Sequence, residues 1–284
     1  MPFTMDCPLD APLRQALPDL TAWTAHFLAA EIPVLASTAE AIEALRANED
    51  DVDANLIGEM VAGDPLMTLR VLSHAAANRS PRMVTDTGTV TAAVVMMGIS
   101  PFFRDFGPLP TVEDRLREHP AALAGIQAVL RRSHRAATFA IGFAVHRMDP
   151  DAALIHQAAL LHDFAELLLW CHAPALALEL QRLQHSDPVL RSSAAQRMVL
   201  NVDLGDLQQA LMRTWRLHEL LVKTADERHE DRPSVRTVAL AVRLARHSTQ
   251  GWENAALADD FSDAAGLLNL SLGAARQLIH DIGA

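Results

Sequence analysis

The chain has no tyrosine, two cysteines and only 5 % aromatic residues in its 284 positions. Strands favour aromatic and β-branched side chains, so this poverty argues against sheet. Ala, Leu, Arg, Glu and Gln favour helix, and Ala and Leu are abundant here. Cys7 and Cys171 stand far apart with no CxxC pair. That spacing argues against a disulfide framework and a cysteine-rich zinc site, and it fits a reducing cytoplasm. The apolar runs are broken by charges or histidines, and none approaches the roughly 18 residues of a membrane span. Residues 1–10 show no basic stretch followed by an apolar one, so neither a membrane segment nor a secretory signal is expected. The motifs GxxxxGK[ST], GxSxG, HExxH and GxGxxG are also absent, which argues against the nucleotide cradles and hydrolytic sites they mark.

Charge of one sign is in excess. The net charge is −11 with His neutral, which opposes non-specific binding to nucleic acid. Arg131, Arg132 and Arg135 cluster, but on a helix they spread round the surface, and they read as a solvated face.

What is present reads as helix after helix. Four prolines in residues 1–20 give an irregular leader. Thr21–Ala30 forms a short helix that stops at Ile32-Pro33, because a residue before proline avoids the α region. Ser37 or Thr38 is expected to cap the next helix, through Ala47, and Asp53 the one after, with Gly63 as its stop. Asp64-Pro65 puts a capping carboxylate before a first-turn proline, where the missing N–H costs nothing. Leu66, Leu69, Leu72 and Ala76 then share one face. Asn78–Gly88 is a loop. Val90, Val94, Val95 and Met97 fit either a strand or a helix; the Gly98 stop favours helix. Residues 100–120, rich in Pro and Gly, form the best internal boundary. A long helix follows over about Ala121–Met148, and another runs from Asp149-Pro150 through Leu169. Further helices start at Pro174, at Asp187-Pro188, and over Leu204–Arg213, Leu217–Glu230, Ser234–His247 and Ser271–Ile282. The segment Ala264–Arg276 faintly resembles a helix-turn-helix, but only Arg276 and Gln277 could read bases, so packing of two terminal helices is the favoured reading.

Thirteen histidines remain to be placed. The densest chemistry is Leu160-Leu161-His162-Asp163-Phe164-Ala165-Glu166, inside an apolar helix, where polar groups need partners. Glu166 is four residues from His162 and three from Asp163, so the three line one region of the helix. Three readings stay open: a buried polar network joining helices, a surrogate metal-ligand set of His134, His162, Asp163 and Glu166, with or without His229, or a remnant cleft that binds a small ligand.

His134 followed by His162-Asp163 resembles the first His and the His-Asp pair of HD-superfamily phosphohydrolases, which implies a helical bundle around one or two divalent metals. The N-terminal half carries a sharper likeness. Ile32-Pro33-Val34-Leu35, then Gly63-Asp64-Pro65-Leu66-Met67-Thr68-Leu69-Arg70-Val71-Leu72, then Ala77-Asn78-Arg79-Ser80, then a helix ending Met97-Gly98, resembles the HDOD family, the HD-related output domains of bacterial signalling proteins. The likeness runs from about Ala29 to the C-terminus. It implies an all-α, multi-helix HD-like bundle with an N-terminal helical subdomain: a leader over 1–20, an HDOD subdomain over 21–110 and an HD-like subdomain over 111–284.

The departures from the HD pattern bear on chemistry. Where HDIGK-type enzymes have Gly and Lys after the pair, this chain has Ala165 and Glu166. Val242 stands where the late metal-binding aspartate belongs, and valine cannot coordinate a cation. Arg228-His229-Glu230 only partly echoes the His-His-Glu of cyclic-dinucleotide phosphodiesterases, and without tyrosine their Gly-Tyr-Pro cannot occur. The resemblance therefore implies a cytoplasmic, non-catalytic signalling module with no catalytic residue and no cofactor. It would act as a stand-alone output domain or through a protein partner, with a small ligand or a homo-oligomer as further options and neither nucleic acid nor membrane as partners. The alternative is a metal-dependent phosphohydrolase that uses a divalent transition metal in an altered site.

Overall fold

A computed structural model describes residues 11–79, 88–187, 189–224 and 232–283. Among them lie seventeen α-helices, one 3₁₀ turn and one isolated β-bridge, with no strand. The N-terminal part holds α1 (Leu20–Ala29), α2 (Ala36–Arg46), α3 (Ala54–Val61), α4 (Pro65–Ala77) and α5 (Val90–Met97). The stretch 99–115 adds α6 (Ile99–Asp105) and α7 (Val112–Arg115). The central helix α8 (Pro120–His146) packs against α9 (Ala152–Leu160), α10 (Phe164–His172) and α15 (Pro233–His247). Around these lie α11 (Pro174–Ser186), α12 (Ser192–Leu200), α13 (Leu204–Thr214) and α14 (Glu219–Thr224), and α16 (Leu257–Leu268) and α17 (Leu272–Ile282) close the chain. One buried apolar cluster runs from Trp23 to Ile279 and takes in residues of 99–116 such as Phe102, Phe106 and Leu116.

Helix starts follow their capping residues. Asp19, Asp53, Thr89, Thr111, Asp203 and Ser271 each accept a bond from a first-turn N–H of the helix they precede, satisfying donors that have no partner inside the helix. The ambiguous run at 90–97 is a helix. Helix α2 departs from expectation: it starts at Ala36, and Ser37 and Thr38 lie within it. Its first amides are capped from a distance. Asp64 Oδ2 accepts from Leu35 N at 2.8 Å and Glu113 accepts from Ala36 N at 2.9 Å. Helix α12 also starts later than expected, at Ser192, because Asp187 first closes a turn by accepting from Val189 N. Pro188, Ser80 and the expected helical stretch 225–230, His229 included, lie outside the described residues.

Asp64 joins the two ends of the N-terminal part. It is fully buried, and besides Leu35 N it accepts from Leu66 N and Met67 N at 2.8 and 3.1 Å. Thr38 also bonds it, and burial raises its pKa against the pull of these donors. Alongside, Val34 N donates to the Pro110 carbonyl and Val112 N to the Val34 carbonyl, zipping 34 onto 110–112.

The expected long helix over 150–169 is corrected. It is interrupted: Leu161–Asp163 forms a turn between α9 and α10. There the backbone tightens, with His162 N bonding the Ala159 carbonyl and Phe164 N the Leu161 carbonyl, the i→i−3 pattern of a 3₁₀ turn. The run 152–172 is also long and apolar enough to cross a membrane by composition, contrary to the sequence reading, but 72 % of its most apolar window is buried in the bundle. At Gly125 of α8 an added Cβ would stand 2.3 Å from the Trp170 ring, so glycine permits the close approach of α8 and α10. At the end of α10, the Cys171 carbonyl accepts from Arg115 Nε and the His172 carbonyl from Leu13 N, at 2.9 and 2.7 Å. Helix ends need such partners, and these two dock the leader and α7 onto the bundle. At the C-terminus, α16 and α17 pack plainly: Arg276 lies over the Phe261 ring, and Ala275 and Ile279 are buried.

Two stability predictions follow from these contacts. Asp64→Ala leaves buried N–H donors unpaired and is expected to cost about 2–4 kcal/mol; Asp64→Asn, which keeps one acceptor oxygen, costs less, as urea unfolding at neutral pH would show. His172 is 1 % exposed and its Nδ1 faces Arg115 at 3.0 Å. Burial first, then Arg115, lowers its pKa to about 3. The unfolded chain therefore takes up a proton near the ordinary value of about 6.5 while the fold does not, and stability falls as pH drops from there toward 3. His172→Gln should flatten that decline, measured as the pH dependence of the urea midpoint.

Candidate functional site

The break between α9 and α10 turns His162 and Asp163 toward a cavity of about 430 Å³. The turn and the start of α10 form one side. α15 forms a second, through Val242, Arg243 and Arg246, and the first turns of α12 and α13 form a third.

Asp163 is the centre of the site. Its side chain is 10 % exposed. Arg132 Nε, from α8, donates to Oδ2 at 2.8 Å. Arg246 Nη2, from α15, donates to Oδ1 at 2.8 Å. His162 Nδ1 lies 3.0 Å from Oδ1; since a carboxylate only accepts, Nδ1 is the donor. Arg132 reaches further and donates Nη2 to Glu166 Oε2 at 2.6 Å. One guanidinium thus bridges both acids of α9–α10, and a second closes the bridge from α15.

The electrostatics follow the contacts. Burial alone would raise the Asp163 carboxyl, but Arg246, the His162 hydrogen bond and Arg132 hold it well below the usual carboxylate range. At Glu166 burial prevails over Arg132, with the neighbouring Asp163 charge adding to it, and the carboxyl is raised. Arg132 stays charged: burial would lower its pKa, and the two carboxylates more than reverse that.

The structure groups three of the four sequence candidates and separates the fourth. His162, Asp163 and Glu166 lie together at the cavity. His134 does not join them: its Nε2 lies 2.9 Å from the Gly63 carbonyl, at the turn between α3 and α4. The reason is helical phase. Arg132 and His134 flank buried Ser133 on α8, each about 100° away in opposite directions. If Arg132 faces Asp163, His134 faces elsewhere. Arg132, and not His134, is therefore the α8 side chain that reaches Asp163. The reading of Arg131, Arg132 and Arg135 as a solvated face holds for exposed Arg131 and is corrected for the other two, because Arg132 meets Asp163 and Arg135 also turns inward, bonding Ser248 and lying over Phe139 and Trp252. Val242, at the position of the expected late aspartate, does line the cavity and is 4 % exposed. Among the described residues, no three His, Cys, Asp or Glu side chains come together as a metal-holding group.

Sequence reasoning missed Arg132 and Arg246, although signals were present. The apolar run 152–172 holds two acids, Asp163 and Glu166, and no Lys or Arg, so their counter-charges had to come from other helices. Arg246 follows Val242 by four residues, one turn along the same face.

Removing Asp163 strands buried guanidinium charge. Asp163→Ala is expected to cost about 3–5 kcal/mol, and Arg246→Ala less, since Arg246 is 49 % exposed. Because the folded carboxyl is held low, its stabilising effect is complete above the ordinary aspartate value and is lost as pH falls below it. The stability gap between the parent and Asp163→Ala should therefore narrow from pH 5 to pH 2, followed by urea unfolding with circular dichroism.

The comparisons agree with this architecture. The crystal structure of the MmoQ response regulator of Methylococcus capsulatus is similar, with 20 % identity and a TM-score of 0.68 over 90 % of this chain and 99 % of that one. A virulence factor from Campylobacter jejuni is similar at 16 % identity, also with a TM-score of 0.68, over 93 % and 96 % of the two chains. At these identities the likeness is one of fold. No curated protein matches significantly in sequence. The HDOD domain family model matches residues 32–231, a stretch that includes Asp64, Arg132, Asp163 and Glu166 and stops before α15. With that match over more than half its length, the chain belongs to the HDOD domain family.

Proposed function

We propose that the chain is a non-catalytic signalling output module whose HD-type cleft binds rather than turns over. The observation that carries this reading is the occupation of Asp163 by Arg132, Arg246 and His162. A metal-activated water needs an anionic ligand set with open lone pairs. Here the lone pairs of the key carboxylate go to donors, and two guanidiniums supply the positive charge that a cation would bring. Val242 offers no oxygen in the same cavity. The HDOD family itself and a structural neighbour described as a response regulator support a role in signal transduction. On this reading Arg132 and Arg246 are structural replacements for a metal, holding three helices in the arrangement a metal would hold.

The test is activity and metal content in the same preparation. Protein purified without chelators is expected to carry no stoichiometric Mn, Fe, Ni or Zn by elemental analysis. It is expected not to hydrolyse cyclic dinucleotides or nucleoside phosphates when these metals are added. Turnover at an enzymatic rate that His162→Ala abolishes would overturn the proposal in favour of a phosphohydrolase with an altered ligand set.

A further inference from the structure

A second cavity, of about 200 Å³, lies between α8, α10 and α11. Gly125, Val129, Leu169 and Trp170 are buried in its lining, and half-buried Gln181 and Gln184 with exposed His185 lie toward solvent. The Arg132–Glu166 ion pair separates this space from the one at His162 and Asp163. Glu166 lines both, Arg132 only this one and Asp163 only the other. The sequence accounts for the gap. Gly125, Ala128, Val129 and Arg132 recur at three- and four-residue spacing on α8, so mostly small side chains hold that face. Trp170 packs onto it at Gly125, where an added Cβ would stand 2.3 Å from Cη2 of the indole.

One donor in this lining is unmatched. Trp170 is 3 % exposed, and its indole Nε1 is buried with no acceptor among the described residues. A buried Trp N–H usually finds a partner, because leaving it without one is costly. This N–H belongs to a side chain that lines a cavity, so an acceptor can be supplied from outside the chain.

The rest of the lining restricts the occupant. Ala128, Val129, Leu169, Ala177 and Leu180 give it an apolar body. The two charges in the wall are already paired, Arg132 with Glu166 at 2.6 Å, so neither is left to attract an ion. At the mouth, His185 Nδ1 is engaged with the Gln181 carbonyl of its own helix at 2.7 Å. Size sets a further limit. A cavity of about 150 Å³ already holds benzene, and drug-sized ligands fill about 300–1,000 Å³. The space here therefore suits a single ring with a short substituent.

We propose that the cavity between α8, α10 and α11 binds a small uncharged ring compound, with its apolar body against Val129, Leu169 and Leu180 and a carbonyl or ring-nitrogen acceptor on Trp170 Nε1. Such a ligand removes the cost of the unmatched N–H and covers apolar surface at the same time. A charged ligand would lose its hydration here without gaining a counter-charge. The site is separate from the His162–Asp163 cleft, and the inference does not depend on whether that cleft hydrolyses anything.

The experiment follows the indole N–H signals of the full nitrogen-15-labelled chain, which has four tryptophans, by NMR. Trp170→Phe identifies the Trp170 signal by its loss. Benzamide and caprolactam carry the acceptor, toluene carries the apolar body without it, and benzoate carries the body with a charge. Benzamide or caprolactam is expected to move the Trp170 signal downfield and saturably, with toluene and benzoate binding at least about tenfold more weakly. Ala128→Leu fills the cavity from a half-buried position on α8 and leaves Trp170 in place; it should abolish the shift. Trp170→Phe keeps an aromatic ring and removes the donor; it should weaken binding by about tenfold or more in calorimetry. Circular dichroism checks the folding of both variants, and either one that folds tests the site. The proposal is overturned if neither acceptor probe moves the Trp170 signal at about 10 mM, a concentration that would reveal even a weak site. It is equally overturned if toluene or benzoate binds as tightly, or if a folded variant binds as the parent does. In each case the non-catalytic reading stands, since none of these outcomes concerns metal content or turnover.

Discussion

A buried carboxylate in an apolar helix has to be neutralised, and Asp163 is neutralised by side chains from two other helices. Arg132 comes from α8 and Arg246 from α15, and both reach oxygens of the same group at 2.8 Å. Since the cost of leaving such a charge unpaired is several kcal/mol, the three elements are fixed relative to one another. The break at Leu161–Asp163 belongs to the same constraint: a straight helix would run on past the cavity, whereas the turn sets His162 and Asp163 at its edge. Burial of the α8 stripe around Ile126, Ser133 and Phe143 supplies the apolar contact that the ion pairs orient.

The N-terminal part repeats the principle with backbone donors. Asp64 is more deeply buried than Asp163, and its partners are the amides of Leu35, Leu66 and Met67 and the side chain of Thr38. It caps its own helix and α2 together, which explains why α2 needs no capping residue of its own. Two buried aspartates therefore organise the chain: one ties helix starts near the N-terminus, the other ties helix faces in the bundle. Arg115 and Leu13 complete the joint by covering the last carbonyls of α10.

The same geometry shapes what the cavity offers a ligand. With Asp163 and Glu166 engaged by arginines, neither carboxylate is left without a counter-charge at the cavity. Val242 adds an apolar wall where the HD resemblance implies an aspartate. The charge balance of the cleft is therefore set by few positions, chiefly Arg132, Arg246 and Val242.

Much of this was legible in the sequence. The scarcity of aromatics, the capping aspartates and the Asp64-Pro65 signal gave an all-helical chain with most helix starts placed, and the motifs around Asp64 and His162-Asp163 identified the family. Helical periodicity is local, and local order is what a single sequence encodes most directly. The remote cap on α2, the break after Leu160, the turning away of His134 and the two arginines on Asp163 were not legible. The cap, the placing of His134 and the two arginines each depend on a partner between 29 and 83 residues away, and spacing along one helix cannot say which distant helix lies opposite. The sequence by itself determined that buried acids in apolar helices would need partners. Only the tertiary structure decided that those partners are guanidiniums, because the identity of a counter-charge is set by which helix faces meet.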